Sequence, residues 1–272
     1  PDMIWFKSRS NSTWHVIHDS VRGAISRLFP NETNAASTSF DGFVDFEPNG
    51  FSLDGTGSGG DVNASGRTYV AWCWKAGGAP TATNSAGAGN VPTAGSVKID
   101  GADLSTALAG TTAATKISAN TKAGFSIVTF TFSSPSSSQT VGHGLNQAPE
   151  LILTKTTSTT GTWYTYHKDV GTGKHLVLDS SSGVTNYANG FSTVNSSVWQ
   201  QYFMSAAASH VAYCFHSVDG YQRLGSYTGT GNAIGNYVFT DSNGDGTGTG
   251  AFEPAFLLVK RTDVAADWFI YD

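Results

Sequence analysis

The sequence predicts an all-β chain made of two repeated antiparallel β-sandwich units. Three observations carry this expectation. Nearly every patterned segment alternates with period two or is a short apolar run rich in Val, Ile, Thr and aromatic residues. Turn signals recur about every eight to twelve residues. The strands themselves are repeated in a fixed order along the chain.

The clearest repeat is a hairpin. PDMIWFK (1–7), PELILTK (149–155) and PAFLLVK (254–260) each run from Pro through apolar residues to a Lys. Each is followed at seven or eight residues by a Trp, namely Trp14, Trp163 and Trp268, and then by HVIHD, YTYHKD or FIYD. Strand, polar turn, strand is a β-hairpin. Between the first two hairpins only SVRGAISRLF (20–29) has helical spacing, with Val21, Ile25 and Leu28 on one side, and it predicts one short helix or turn.

A second element pairs YVAWCW (69–74) with HVAYCF (210–215), each downstream of Asn-Gly-Phe-Ser. Alternation puts Ala71 and Cys73, or Ala212 and Cys214, on a small-residue face, and Trp72 and Trp74, or Tyr213 and Phe215, on a large one. Such strands belong between two layers, in equivalent central positions, with Cys73 and Cys214 as buried free thiols in two separate cores. A third element pairs GFSIVTFTF (124–132) with GYQRLGSYT (220–228). Residues 79–123 are Gly/Ala/Ser/Thr-rich and linker-like, although Val97, Ile99, Leu104 and Leu108 suggest one or two edge strands. A soft boundary at 120–124 therefore divides a first unit, 1–123, from a second, 124–272, which ends in the third copy of the hairpin. A chain that starts and ends on one element reads as a piece of a longer array, or as a unit whose ends pair.

Fifteen basic and twenty acidic side chains give a net charge of −5, and charged residues are 13% of the chain. That is roughly half the usual share of about 25%. With no run of Lys or Arg to neutralise phosphates, nucleic acid is not an expected partner. The apolar stretches are strand-sized, so membrane insertion is not expected either.

Chemistry-bearing motifs are sparse. The seven histidines fall in no HExxH pattern, and neither metal-spaced cysteines nor a GxSxG elbow occurs. No catalytic residues are expected. His18 with Asp19 and His167 with Asp169 follow the first two hairpin tryptophans, and Trp14, His18, Trp163 and His167 form a candidate glycan-contacting patch. Lys7, Lys155 and Lys260 recur faithfully; the reading is a stem packed along the neighbouring Trp, with the ammonium at the sheet rim. His143, in VGHGL, is expected to bond a turn backbone. Asp241, Asn243 and Asp245, followed by Gly246, reproduce the first half of a calcium loop, but the twelfth position is Phe252 where a bidentate Glu belongs. The competing reading is an ordinary polar turn.

The ordered set YVAWCWKAGG, SANTKAGFSIVTFTF, TVGHGLNQAPELILTK, HVAYCFHSVDGY, GSYTGTGN and PAFLLVKRTDVAADWFIYD resembles the repeated β domain of predicted marine bacteriophage tail-fibre proteins. The resemblance covers nearly the whole chain, apart from DSNGDGTGTG (241–250), where that domain has a short turn. It implies a jelly-roll-like architecture for the β-sandwich units and a non-enzymatic structural module of a virion appendage, outside the cell. Expected partners are other virion proteins, further copies of the chain in a trimer or filament, and a host-surface glycan. The alternative is a lectin-like module or a glycan-cleaving tailspike.

Overall fold

The structure is a computed structural model that describes residues 1–272 apart from 55–57, 60, 133–138, 203–207 and 233–234, and describes only the backbone of 58–59. Among the described residues the chain is all-β, with several antiparallel sheets and no helix. It folds as two sandwich units. In the first, Met3–Ser8 lies between Val16–Asp19 and Tyr69–Trp74, with Arg27–Leu28 at the edge. One face of this sheet, Ile4, Phe6 and Val16, is covered by the hairpin of Phe43–Glu47 and Gly50–Leu53 through Phe43, Phe46 and Phe51. The Phe6 and Phe51 rings meet edge-on at 5.3 Å, a favoured aromatic geometry.

Residues 20–29 form a turn and a short strand. Asp19 explains why: its carboxylate accepts the backbone N–H groups of Val21 and Arg22, and Gly23 at φ 92° carries the chain away from a helical path. The i, i+4, i+7 spacing of Val21, Ile25 and Leu28 is instead split, with Val21 and Leu28 buried and Ile25 exposed.

The second unit is built on a nine-stranded sheet. Its centre is Ser209–Phe215, paired antiparallel with Phe125–Thr131 on one side and Leu151–Thr156 on the other. Ala114–Asn120, Val97–Ile99 and Ala102–Asp103 extend it beyond Phe125–Thr131, and Val97–Ile99 pairs parallel to Ala114–Asn120. Beyond Leu151–Thr156 come Tyr164–His167, Lys174–Val177 and Thr185–Asn186. One face packs on the three-stranded sheet of Thr140–Gly142, Thr193–Val194 and Val198–Gln200, around Trp199, Phe130 and Phe191.

This topology corrects the expected boundary. Residues 97–120 belong to the second unit's sheet, so a division at 120–124 would cut the hairpin of Ala114–Asn120 and Phe125–Thr131. The crossing point is tight: a Cβ on Gly77 would collide with the Ala119 carbonyl, so only glycine fits there. The GYQRLGSYT segment also departs from expectation. It forms no strand beyond an isolated Val218–Gln222 bridge, whereas its presumed counterpart, Phe125–Thr131, is paired on both sides.

The two faces of the repeated strand separate as alternation requires. Ala212 and Cys214 face the second unit's own core, while Val211, Tyr213 and Phe215 face a third core shared between the units. Met3, Trp5 and Ile17 enter that shared core from the first unit. The aromatic faces thus join the units, giving four stacked layers. Tyr69–Trp74 keeps the matching register, since Cys73 lies opposite Ile4 as Cys214 lies opposite Ile152. It is nonetheless an edge strand, not a central one, and Cys73 is exposed, not buried. Both cysteines are free, and burial pushes the Cys214 thiol up to about 12. A thiol reagent should therefore modify Cys73 alone in the native protein and both residues in denaturant; two fast-reacting thiols under native conditions would contradict this burial pattern.

Candidate functional site

Strand register defines three repeats more sharply than the Trp spacing does. Lys7, Lys155 and Lys260 are 148 and 105 positions apart, and the same offsets relate His15, Trp163 and Trp268. Pairing agrees: Ile4 opposite His18, Ile152 opposite Tyr166, and Leu257 opposite Tyr271. The counterpart of Trp163 is therefore His15, not Trp14, and that of His18 is Tyr166, not His167. The signal in the sequence was the constant spacing of eight from each Lys, which Trp14 breaks by one.

The same offsets expose a repeated joint. Trp163 donates its indole N–H to the Phe29 carbonyl at 2.8 Å, and Trp268 donates to Val177 at 2.8 Å. Lys155 Nζ donates to the Thr33 carbonyl and Lys260 Nζ to that of Ser181. The Gly161 N–H donates to Thr33 and the Ala266 N–H to Ser181, each at 2.8 Å. The Ala36 N–H donates to Thr157 and the Val184 N–H to Thr262. The second and third hairpins thus each dock on the third strand and following loop of the repeat before by one set of four hydrogen bonds. Most of the partners are backbone groups, which residue identity does not reveal.

The first joint carries an additional buried network. Asp19, fully buried, receives Arg22 Nε at 2.5 Å and the Tyr213 hydroxyl of the second unit at 2.6 Å. Burial pushes Tyr213 well above the usual phenol range, so it stays a donor. Burial opposes the charge of Arg22, but Asp19 outweighs it and holds the guanidinium protonated.

Between the first unit and the third hairpin lies a cleft of about 600 Å³ lined by Trp5, Lys7, His15, Trp72, Leu258 and Trp268. Trp5 donates its indole N–H to His15 Nδ1 at 2.9 Å, which leaves the His15 proton on Nε2. Burial first, and Lys7 second, depress the His15 pKa to about 4, so the ring is neutral at pH 7. Trp72 of the cleft also meets the Phe256 ring edge-on at 5.4 Å, as the neighbouring Trp74 does at 5.3 Å.

The glycan patch expected at Trp14, His18, Trp163 and His167 does not assemble. Trp163 is 0% and His18 1% exposed. His18 has both ring nitrogens engaged, with the Ala24 carbonyl at 2.8 Å and Asp41 at 2.9 Å, as part of the first core. Burial would raise the Asp41 pKa, but the His18 hydrogen bond and neighbouring charges bring it below its usual value. Trp14 is exposed with its ring edge-on to Phe29, and half-buried His167 accepts the Asp169 N–H. The apolar environment that a docked hairpin requires is what removes Trp163 from the surface.

The repeated lysines differ. Lys260 lies 6.0 Å from the Trp268 ring centre, as expected of a stem along its Trp. Lys155 is fully buried, not at the rim; its ammonium is held by the Thr33 and Thr156 carbonyls, and burial lowers its pKa to about 8. His143 bonds turn backbone: Nδ1 accepts the Leu145 N–H and Nε2 meets the Asn195 carbonyl.

In the candidate calcium loop, buried Asp241 accepts the backbone N–H groups of Gly244 and Gly248, one on each carboxylate oxygen. Asp245 accepts from Thr247, and Asn243 donates to the Thr247 hydroxyl. Asp241→Ala should lower thermal stability by about 1–3 kcal/mol, because it leaves the Gly248 N–H unpaired and the Gly244 N–H with only its 3.2 Å bond to the backbone carbonyl of residue 241. If the carboxylates also hold calcium, the wild-type unfolding midpoint rises with the ion over that in chelator, and the variant loses that rise. A midpoint unchanged by the substitution would refute the capping role.

Fold and joints together define a β-repeat protein of sandwich units docked by recurring hairpins. A family model for a domain of unknown function, DUF7483, matches residues 1–114 and 98–272, and the chain belongs to that family. The second match starts where the second unit's sheet begins, at Val97–Ile99. No curated protein and no solved structure matches the chain.

Proposed function

We propose that this chain is a structural module of a viral appendage of the tail-fibre type, non-enzymatic, extracellular, assembled as a homo-oligomeric trimer or filament with other virion proteins, and contributing to host-surface attachment. The observation that supports this reading best is the recurrence of one four-bond joint at both repeat junctions. A rigid, reiterated joint suits a load-bearing array, in which each repeat is fixed by its neighbours. Exposed aromatics at Tyr221, Tyr227 and Tyr237 give the surface amphipathic rings of the kind that anchor protein interfaces. The lectin alternative is weakened by the burial of Trp163 and His18. The test is immunogold labelling and mass spectrometry of purified particles. Label on an appendage is the expected result; absence of the chain from purified virions, or label confined to the capsid, would overturn the proposal.

A further inference from the structure

We propose that the cleft between the first unit and the third hairpin is a docking site for the third strand and following loop of a repeat of this same family, a segment of the Lys174–Val184 type. The two observed joints define what such a segment brings. It pairs beside the second hairpin strand, offers two carbonyls to a Trp and a Lys of the next repeat, and offers one backbone N–H to that repeat's loop. The first and third repeats hold the two halves of this same arrangement without its middle.

On one wall, Trp268–Tyr271 pairs among the described residues only with Leu257–Lys260, which leaves its outer edge open where Tyr164–His167 pairs with Lys174–Val177. On the other wall stand the first repeat's members of the joint. Lys7 donates to its own loop at Thr13, as Lys260 does to Ala266, but among the described residues it has no second carbonyl of the kind that Ser181 gives Lys260. His15 occupies the Trp163 position, and with Nδ1 accepting from Trp5 it presents an Nε2–H where Trp163 presents its indole N–H. Lys7, His15, Trp268 and Phe269 line one continuous cleft, so a single segment spans both walls. The buried indole N–H of Trp72, on the same cleft, has no acceptor among the described residues. The third-strand segments of the first two repeats are already engaged at their own joints, so the occupant is a further such segment.

The test extends the full chain after Asp272 with a copy of residues 168–187, since Asp272 is the counterpart of His167. Against a chain carrying a scrambled extension, the expected result is a thermal midpoint higher by about 3 °C or more, with lower acrylamide quenching of tryptophan fluorescence. Lys7→Ala with His15→Ala should cancel the difference between native-sequence and scrambled extensions. Equal midpoints for the two extensions would overturn the proposal, as would a rise that survives both substitutions. A concentration-dependent dimer of the unextended chain that Lys7→Glu abolishes would seat a second copy in the cleft and overturn it as well.

Discussion

Replacing Asp19 with Ala should destabilise the chain by about 3–5 kcal/mol, the usual cost of breaking a buried ion pair from one side. The size follows from what remains. Arg22, with its side chain 6% exposed, would keep its charge without a carboxylate, and the Tyr213 hydroxyl would lose its acceptor inside the shared core. The Val21 and Arg22 N–H groups that shape the turn would lose theirs too. Tyr213→Phe removes two hydrogen bonds, the donation to Asp19 and a long 3.4 Å one from Arg22, and should cost less, about 1.5–3 kcal/mol. The double variant Asp19→Ala with Arg22→Ala should fall well short of the sum of the two single effects, because the orphaned charge is gone. Urea unfolding followed by tryptophan fluorescence measures all four. A loss below about 1 kcal/mol for Asp19→Ala would mean the network does not join the units.

The same residues show how far sequence reasoning reaches. The large-face and small-face division of HVAYCF was legible because alternation in a strand is geometric, and Tyr213 and Cys214 do lie on opposite sides of the sheet. What the large face packs against was not legible. Period two says that Trp5 and Tyr213 are buried, and is silent on whether they share a core. The position of Tyr69–Trp74 at an edge depends on which strands lie beside it, a property of topology that its own six residues do not carry. The buried roles of Trp163 and His18 were hidden for a related reason. A Trp after a polar turn looks the same whether solvent or the preceding repeat lies over it, and its acceptor, the Phe29 carbonyl, has no residue signature. Likewise Asp241 and its neighbours reproduce calcium-ligand spacing because turn closure and cation binding both require oxygens on alternate residues.

Trp163→Ala should be the most damaging single truncation at a repeat joint, costing about 3–5 kcal/mol as an indole is lost from a fully buried site. The ring lies nearly parallel to Tyr213, 18° apart with centroids at 6.3 Å, so its removal leaves a cavity against a second-unit aromatic that the surrounding sheet cannot fill. Trp163→Phe keeps most of the apolar volume and drops the bond to Phe29, whose carbonyl still accepts the Glu32 N–H; it should cost about 1 kcal/mol, mainly from the lost hydrogen bond. Trp268 makes the equivalent bond to Val177 from a half-buried position, so Trp268→Ala should cost roughly half as much as Trp163→Ala if buried area sets the scale. Denaturant midpoints for the three variants separate the contributions of burial and hydrogen bonding. Equal losses at Trp163 and Trp268 would show that the hydrogen bond, not the packed ring, holds each joint; negligible loss at both would remove the repeated joint as the element that orders the array.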